Sequence, residues 1–198
     1  MLFAVKNRIG LTLGVLATFV ADAVFLCHCL DLSWNWEFHP TEVLLAAAAM
    51  AVSDSLIHGV LTLSFGARYL GRYRALVEYF RSQQLPQIVA GSLLAGGEEL
   101  VFRGVLLEGL RTVGGFSTTP AVVLSAVLFG LFHALPSRQL LPFALWAFWE
   151  GLLLGLVYVV SGSLLVVVVV HVLHDLGGFS LFAYQRRVWQ HQTDQNGS

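Results

Sequence analysis

The sequence predicts an all-α, polytopic transmembrane helical bundle of about six spanning helices with one amphipathic surface helix. Three observations carry that expectation. The 198-residue chain is 57% hydrophobic and only 12% charged, with a mean hydropathy of +0.74. Several segments reach the roughly 20 apolar residues that crossing a bilayer requires. The polar residues inside those segments are few and recur at helical spacing. The formal net charge of -1 comes with no basic stripe interleaved with aromatics, so no nucleic-acid partner is expected.

Met1 to Gly10 is a basic lead with Lys6 and Arg8, followed by an apolar segment from about Ile9 to Leu30 that contains Asp22. The charge layout is that of a signal peptide. The apolar run is too long for a cleaved signal, however, and Ala21-Asp22-Ala23 is a poor cleavage site, so a retained first helix is expected. Cys27 and Cys29, at its end, are too few and too close for a disulfide framework and suit packing better than metal ligation. Asp31 to Glu42 is a polar, aromatic loop whose Trp34 and Trp36 suit a membrane interface. A second segment runs from about Val43 to Phe65.

From Gly66 to Pro86, Arg68, Arg72, Arg74 and Arg81 face a single Glu78, while Tyr69, Leu70, Tyr73, Leu76, Val77 and Phe80 recur at helical spacing. That pattern predicts an amphipathic helix on the membrane surface. The third segment spans Ile88 to Leu110, and a Gly/Ser/Thr turn follows at Thr112 to Thr119. Segment four runs from about Pro120 to Leu135, with a turn at Pro136-Ser137-Arg138-Gln139, and segment five from about Leu141 to Val160. After Ser161-Gly162-Ser163, segment six extends from about Leu164 to Tyr184, and the polar tail from Gln185 to Ser198 is expected to be disordered.

Six crossings put both termini on one side. Lys6, Arg8, Arg68, Arg72, Arg74, Arg81, Arg138, Arg186 and Arg187 share it, against Arg111 in an opposite loop, so both termini are expected in the cytoplasm. With no repeat or linker in 1–198, a single membrane domain is expected.

The chemistry concentrates in the third segment. Gly96-Gly97-Glu98-Glu99-Leu100-Val101-Phe102-Arg103-Gly104 sets two carboxylates and a guanidinium inside an apolar run, and charges at membrane depth are costly and usually functional. On a helix Glu99 and Arg103 lie i,i+4 on one face and can pair. Glu98 points about a quarter-turn away and lacks such a partner, which makes it a candidate proton acceptor. The plainer reading is an ion pair that fixes helix packing, which accounts for Glu99 and Arg103 but not Glu98.

Phe129 and His133 share a face of segment four, and His171 and Asp175 share one of segment six, after five consecutive valines. A lone histidine on an apolar helix is usually structural. Two histidines, an aspartate and a glutamate pair, all able to reach one cavity, point instead to a site. Glu98 could take a proton from water while His133 holds that water or donates to a leaving group, and His171 with Asp175 could face a developing oxyanion. There is no Gly-x-Ser-x-Gly, no membrane aspartate pair in a Gly-x-Gly-Asp setting and no His-Glu-x-x-His, which argues against serine, aspartyl and zincin-type intramembrane proteases.

Glu98-Glu99-x-x-x-Arg103, Phe129-x-x-x-His133 and His171-x-x-x-Asp175, in that order on successive apolar helices, resemble the three motifs of the CPBP family. These are the CAAX prenyl endopeptidases and bacteriocin-processing enzymes, also called the Abi family. The resemblance covers about Leu85 to Tyr184. It implies a glutamate-dependent intramembrane endopeptidase acting on a membrane-tethered protein or peptide, with neither cofactor nor metal. Glu98 would be the base, Glu99 and Arg103 its orienting pair, His133 the water ligand or acid, and His171 with Asp175 the oxyanion site. The last motif position is commonly asparagine in the prenyl-protease members. An ionised Asp175 cannot donate to an oxyanion and would instead be protonated or orient His171 or His174.

Asp22, Asp54, His58 and Glu150 are expected to serve packing or inter-helix hydrogen bonds. Two other readings compete. One fills the site with zinc or manganese on Glu98 or Glu99, His133, His171 and Asp175. The other is a peptide-binding or bacteriocin-immunity protein that does not cut. A small chain with short loops suits a bacterial inner membrane.

Overall fold

The computed structural model describes residues 2–80, 84–134 and 141–196. Helices α1 (Leu2–Cys29), α2 (Pro40–Phe80) and α3 (Leu85–Glu99) are followed by a π-helical segment (Leu100–Leu107) that runs directly into α4 (Glu108–Thr112). Then come α5 (Thr118–Ala134), α6 (Leu141–Ser161) and α7 (Leu164–Asn196), with no strand among the described residues. The polytopic helical bundle expected from hydropathy is the fold. Among the described residues, four helices are long and apolar enough to cross a membrane, in α1, α2, α6 and α7. The apolar α5 is shorter, and the third segment is interrupted by the π-helical turns.

The apolar surface sorts by depth in the bundle. Leu11, Phe25, Leu44, Leu63, Leu145 and Val160 are exposed on the outside, as side chains facing lipid would be. Leu107, Leu154, Leu164, Val166, Val167 and Val170 form the interior, so part of the valine run of α7 is core.

In α2 the second predicted segment and the predicted amphipathic helix meet as one helix kinked at Gly66, whose φ of 49° and ψ of -128° suit only glycine. Beyond the kink Arg68, Arg72 and Arg74 are exposed while Val77 is buried, and His58 Nδ1 lies 2.8 Å from the Tyr69 hydroxyl across the bend. This is the expected amphipathic half. Arg81, the turn at 136–139 and the side chains of Lys6, Arg8, Leu76, Glu78, Phe80, Arg186 and Arg187 lie outside the described residues.

The tail differs from expectation. Helix α7 continues past Tyr184 to Asn196, because Gln185 to Asn196 contains no glycine or proline to stop a helix already nucleated in the bundle.

Two glycine approaches bring the site-bearing helices together. A Cβ at Gly96 would meet Val172 Cγ2 at 2.9 Å, so glycine is what lets α3 and α7 touch there. A Cβ at Gly130 would meet the Ala144 carbonyl oxygen at 2.8 Å, and the same holds for α5 and α6. The loop after α1 braces one end of the bundle, where Leu164 N–H donates to the Asn35 carbonyl at 2.9 Å and Ser163 Oγ to that of Glu37 at 2.6 Å.

Candidate active site

The third segment is wound more widely just past the two glutamates. The Glu108 N–H reaches back to the Arg103 carbonyl, five residues earlier, which is the π pattern. Such turns leave carbonyls open to outside donors and are frequent at functional sites. Here Ser125 Oγ donates to the Phe102 carbonyl at 2.9 Å and Trp34 Nε1 to that of Gly104 at 3.0 Å. Both donors come from other elements, which fixes the π segment against α5 and the first loop.

Glu99 and Arg103 are wholly buried and paired as expected, with Arg103 Nη1 donating to Glu99 Oε1 at 2.8 Å. Arg103 Nη2 donates to the Gly151 carbonyl of α6 at 2.9 Å, and its guanidinium lies 4.7 Å from the centroid of the Phe129 ring. The same Glu99 Oε1 lies 2.6 Å from His171 Nδ1, so the three groups form one network across α3, the π segment and α7. Glu99 on α3 thus holds both the guanidinium one turn on and an imidazole from the adjoining α7. Buried charges persist only in such networks.

Glu98, 8% exposed, stands apart from that network, with its Oε2 3.7 Å from His133 Nε2. His133 Nδ1 lies 2.9 Å from the Phe129 carbonyl. A carbonyl only accepts, so Nδ1 carries the hydrogen and in the neutral ring Nε2 is an acceptor facing Glu98. The Phe129 ring separates the two groups, with ring centroids 4.5 Å from His133 and 5.9 Å from His171.

Asp175 falls between two histidines, its Oδ1 3.8 Å from His171 Nε2 and 3.6 Å from His174 Nδ1. All six residues singled out from the sequence therefore meet in one interior region, the two halves arranged around Phe129. Sequence reasoning missed Gly151, whose contribution is a backbone carbonyl and leaves no mark on residue type. It also missed Ser125 and Trp34. It expected packing or inter-helix hydrogen bonds for Asp54 and Glu150, and Asp54 Oδ2 does lie 2.6 Å from His174 Nε2. Asp22 is exposed on α1, and Glu108 pairs with Arg111 at 3.1 Å.

Residues 81–177 match the model of the family described as type II CAAX prenyl endopeptidase Rce1-like, a span that holds all three motifs. No curated protein and no solved structure matches the chain. The expectation drawn from the three motifs is met: residues 81–177 are similar to the Rce1-like family of type II CAAX prenyl endopeptidases, the family the motifs resemble.

Proposed function

We propose that the protein is a glutamate-dependent intramembrane endopeptidase that hydrolyses a peptide bond of a membrane-tethered protein or peptide. The carrying observation is the pair of acceptors, Glu98 Oε2 and His133 Nε2, facing each other at 3.7 Å. That separation exceeds a direct hydrogen bond and suits a bridging water set to one side of the line between them. Such a water donates one hydrogen to each acceptor and turns a lone pair toward the substrate.

The reaction then needs no group beyond the chain and water. Glu98 removes the proton as the water oxygen attacks the scissile carbonyl, and the proton passes on to the leaving amine. His171, held through Nδ1 by Glu99, presents Nε2 on the far edge of its ring. In the imidazolium form both nitrogens donate, Nδ1 to Glu99 and Nε2 to the developing oxyanion. Asp175, 3.8 Å from that Nε2 and 3.6 Å from His174 Nδ1, is too far for a hydrogen bond to either and orients the two rings by its charge rather than serving as an oxyanion donor. Beside Glu99 Oε1, the guanidinium of Arg103 fills the place a cation would need.

The excess of basic residues on one side supports both termini in the cytoplasm, and the small chain with short loops suits a bacterial inner membrane. Substrates in reach of this chemistry are prenylated CAAX tails, leader peptides and C-terminal sorting tails. The test is cleavage of one peptide of each kind by the purified protein in liposomes. Glu98→Gln is expected to lower turnover by roughly 10²- to 10⁴-fold, and His133→Ala by a comparable factor, with the fold intact. Wild-type turnover in Glu98→Gln would overturn the mechanism. Peptide binding without cleavage in the wild-type protein would move the chain to a binding role.

A further inference from the structure

A second polar cluster lies where α2, α6 and α7 meet, joined to the site above through Asp175, and the reaction above makes no use of its Asp54 and Glu150. His174 Nε2 lies 2.6 Å from Asp54 Oδ2 and 3.9 Å from Glu150 Oε1, and one ligand atom from each of the three residues falls within 4.8 Å of the others. Glu150 is 7% exposed, and among the described residues its carboxylate takes no hydrogen bond although it points at His174. Asp54 Oδ1 is likewise buried without a partner. On the other edge of the imidazole, Asp175 Oδ1 sits 3.6 Å from Nδ1. Three carboxyl groups thus surround one imidazole in the interior of a membrane bundle, where uncompensated acidic groups are costly.

We propose that Asp54, Glu150 and His174 form a binding site for one divalent cation of the zinc class, tying α2 to α6 and α7. One imidazole nitrogen and two carboxylate oxygens are a ligand set that zinc takes, with a fourth position left open for water. In a tetrahedral site neighbouring ligand atoms stand roughly 3.4 Å apart, so to hold an ion Asp54 must draw back from His174 and Glu150 must close in, each by about an ångström. Asp175 beyond the histidine supplies the outer carboxylate that commonly orients a ligating imidazole. Trp149 Nε1 donates to Ser53 Oγ at 2.8 Å beside the cluster, which already holds α6 against α2. The site is separate from Glu98 and independent of whether the protein cuts peptides.

The test uses the full chain in detergent with any histidine tag removed, stripped of metal and dialysed against Zn²⁺, with zinc per chain read by mass spectrometry and affinity by calorimetry. One zinc per chain is expected for the wild type and for Glu98→Gln, with affinity at least tenfold weaker in Glu150→Gln and Asp54→Asn. Variants rather than chelation assign the ion, because a chelator strips any site. Equal zinc in wild type and Glu150→Gln, or zinc lost in Glu98→Gln and kept in Glu150→Gln, overturns the proposal. Should Glu150→Gln fail to fold, zinc-edge X-ray absorption on the unmutated chain decides: a single imidazole with oxygen neighbours supports the site, and two or more imidazoles or a sulfur sink it.

Discussion

Replacing Arg103 by methionine tests whether the buried ion network, rather than hydrophobic packing, fixes α3 and the π segment in the bundle. The substitution removes the 2.8 Å bond to Glu99 and the 2.9 Å bond to the Gly151 carbonyl, and it withdraws the cation from the Phe129 ring. A hydrogen bond to a charged group contributes about 1.5–3 kcal/mol, and breaking one partner of a buried pair costs about 3–5 kcal/mol. His171 still holds Glu99 at 2.6 Å, which places the expected cost near the lower end, about 3 kcal/mol. Glu99→Met strands both Arg103 and His171 and is expected to cost more. The double variant leaves no buried charge opposite another and should fall about 2–3 kcal/mol short of the summed single costs. The assay is reversible unfolding in mixed detergent micelles followed by tryptophan fluorescence. Costs that add to within about 0.5 kcal/mol would show that the two side chains do not share a network, and the reasoning would fail.

Four further substitutions probe the geometry. Gly96→Leu should push α3 from α7, since even a Cβ there would meet Val172 at 2.9 Å; the expected loss is about 1–3 kcal/mol together with reduced peptide cleavage. Gly91→Ala, whose Cβ would meet Phe179 at an ordinary 3.6 Å, is the control, and an equal loss there would refute the close-approach account. Gly66→Ala, at a φ of 49° and ψ of -128°, should lower stability by about 1–3 kcal/mol in the same unfolding assay, and an unchanged midpoint would mean the kink is not held. Asp175→Asn should reduce kcat with KM little changed if the aspartate orients His171 and His174; a raised kcat would assign the position to oxyanion donation instead.

The sequence by itself determined the membrane class, the segment order, the amphipathic half of α2 and which polar side chains stand within apolar helices. Hydropathy reports the solvent a segment requires, and a polar side chain in an apolar helix is too costly to be incidental. The i,i+4 pairing of Glu99 with Arg103 was legible because it depends only on the helical period. Local pattern could not reveal the partners that cross between helices. That His171 binds Glu99 rather than Asp175, that Arg103 reaches a backbone carbonyl on α6, and that Asp54 approaches His174 are all settled by where α2, α3, α6 and α7 meet. The π turns were hidden for a related reason. Leu100–Leu107 carries no residue that forbids an α-helix, and the wider winding is held by Ser125 and Trp34, which are distant in sequence. Likewise the disorder expected from the polarity of Gln185 to Ser198 gave way to helix through Asn196, because a helix anchored by the packing of α7 propagates into residues that would not nucleate one alone.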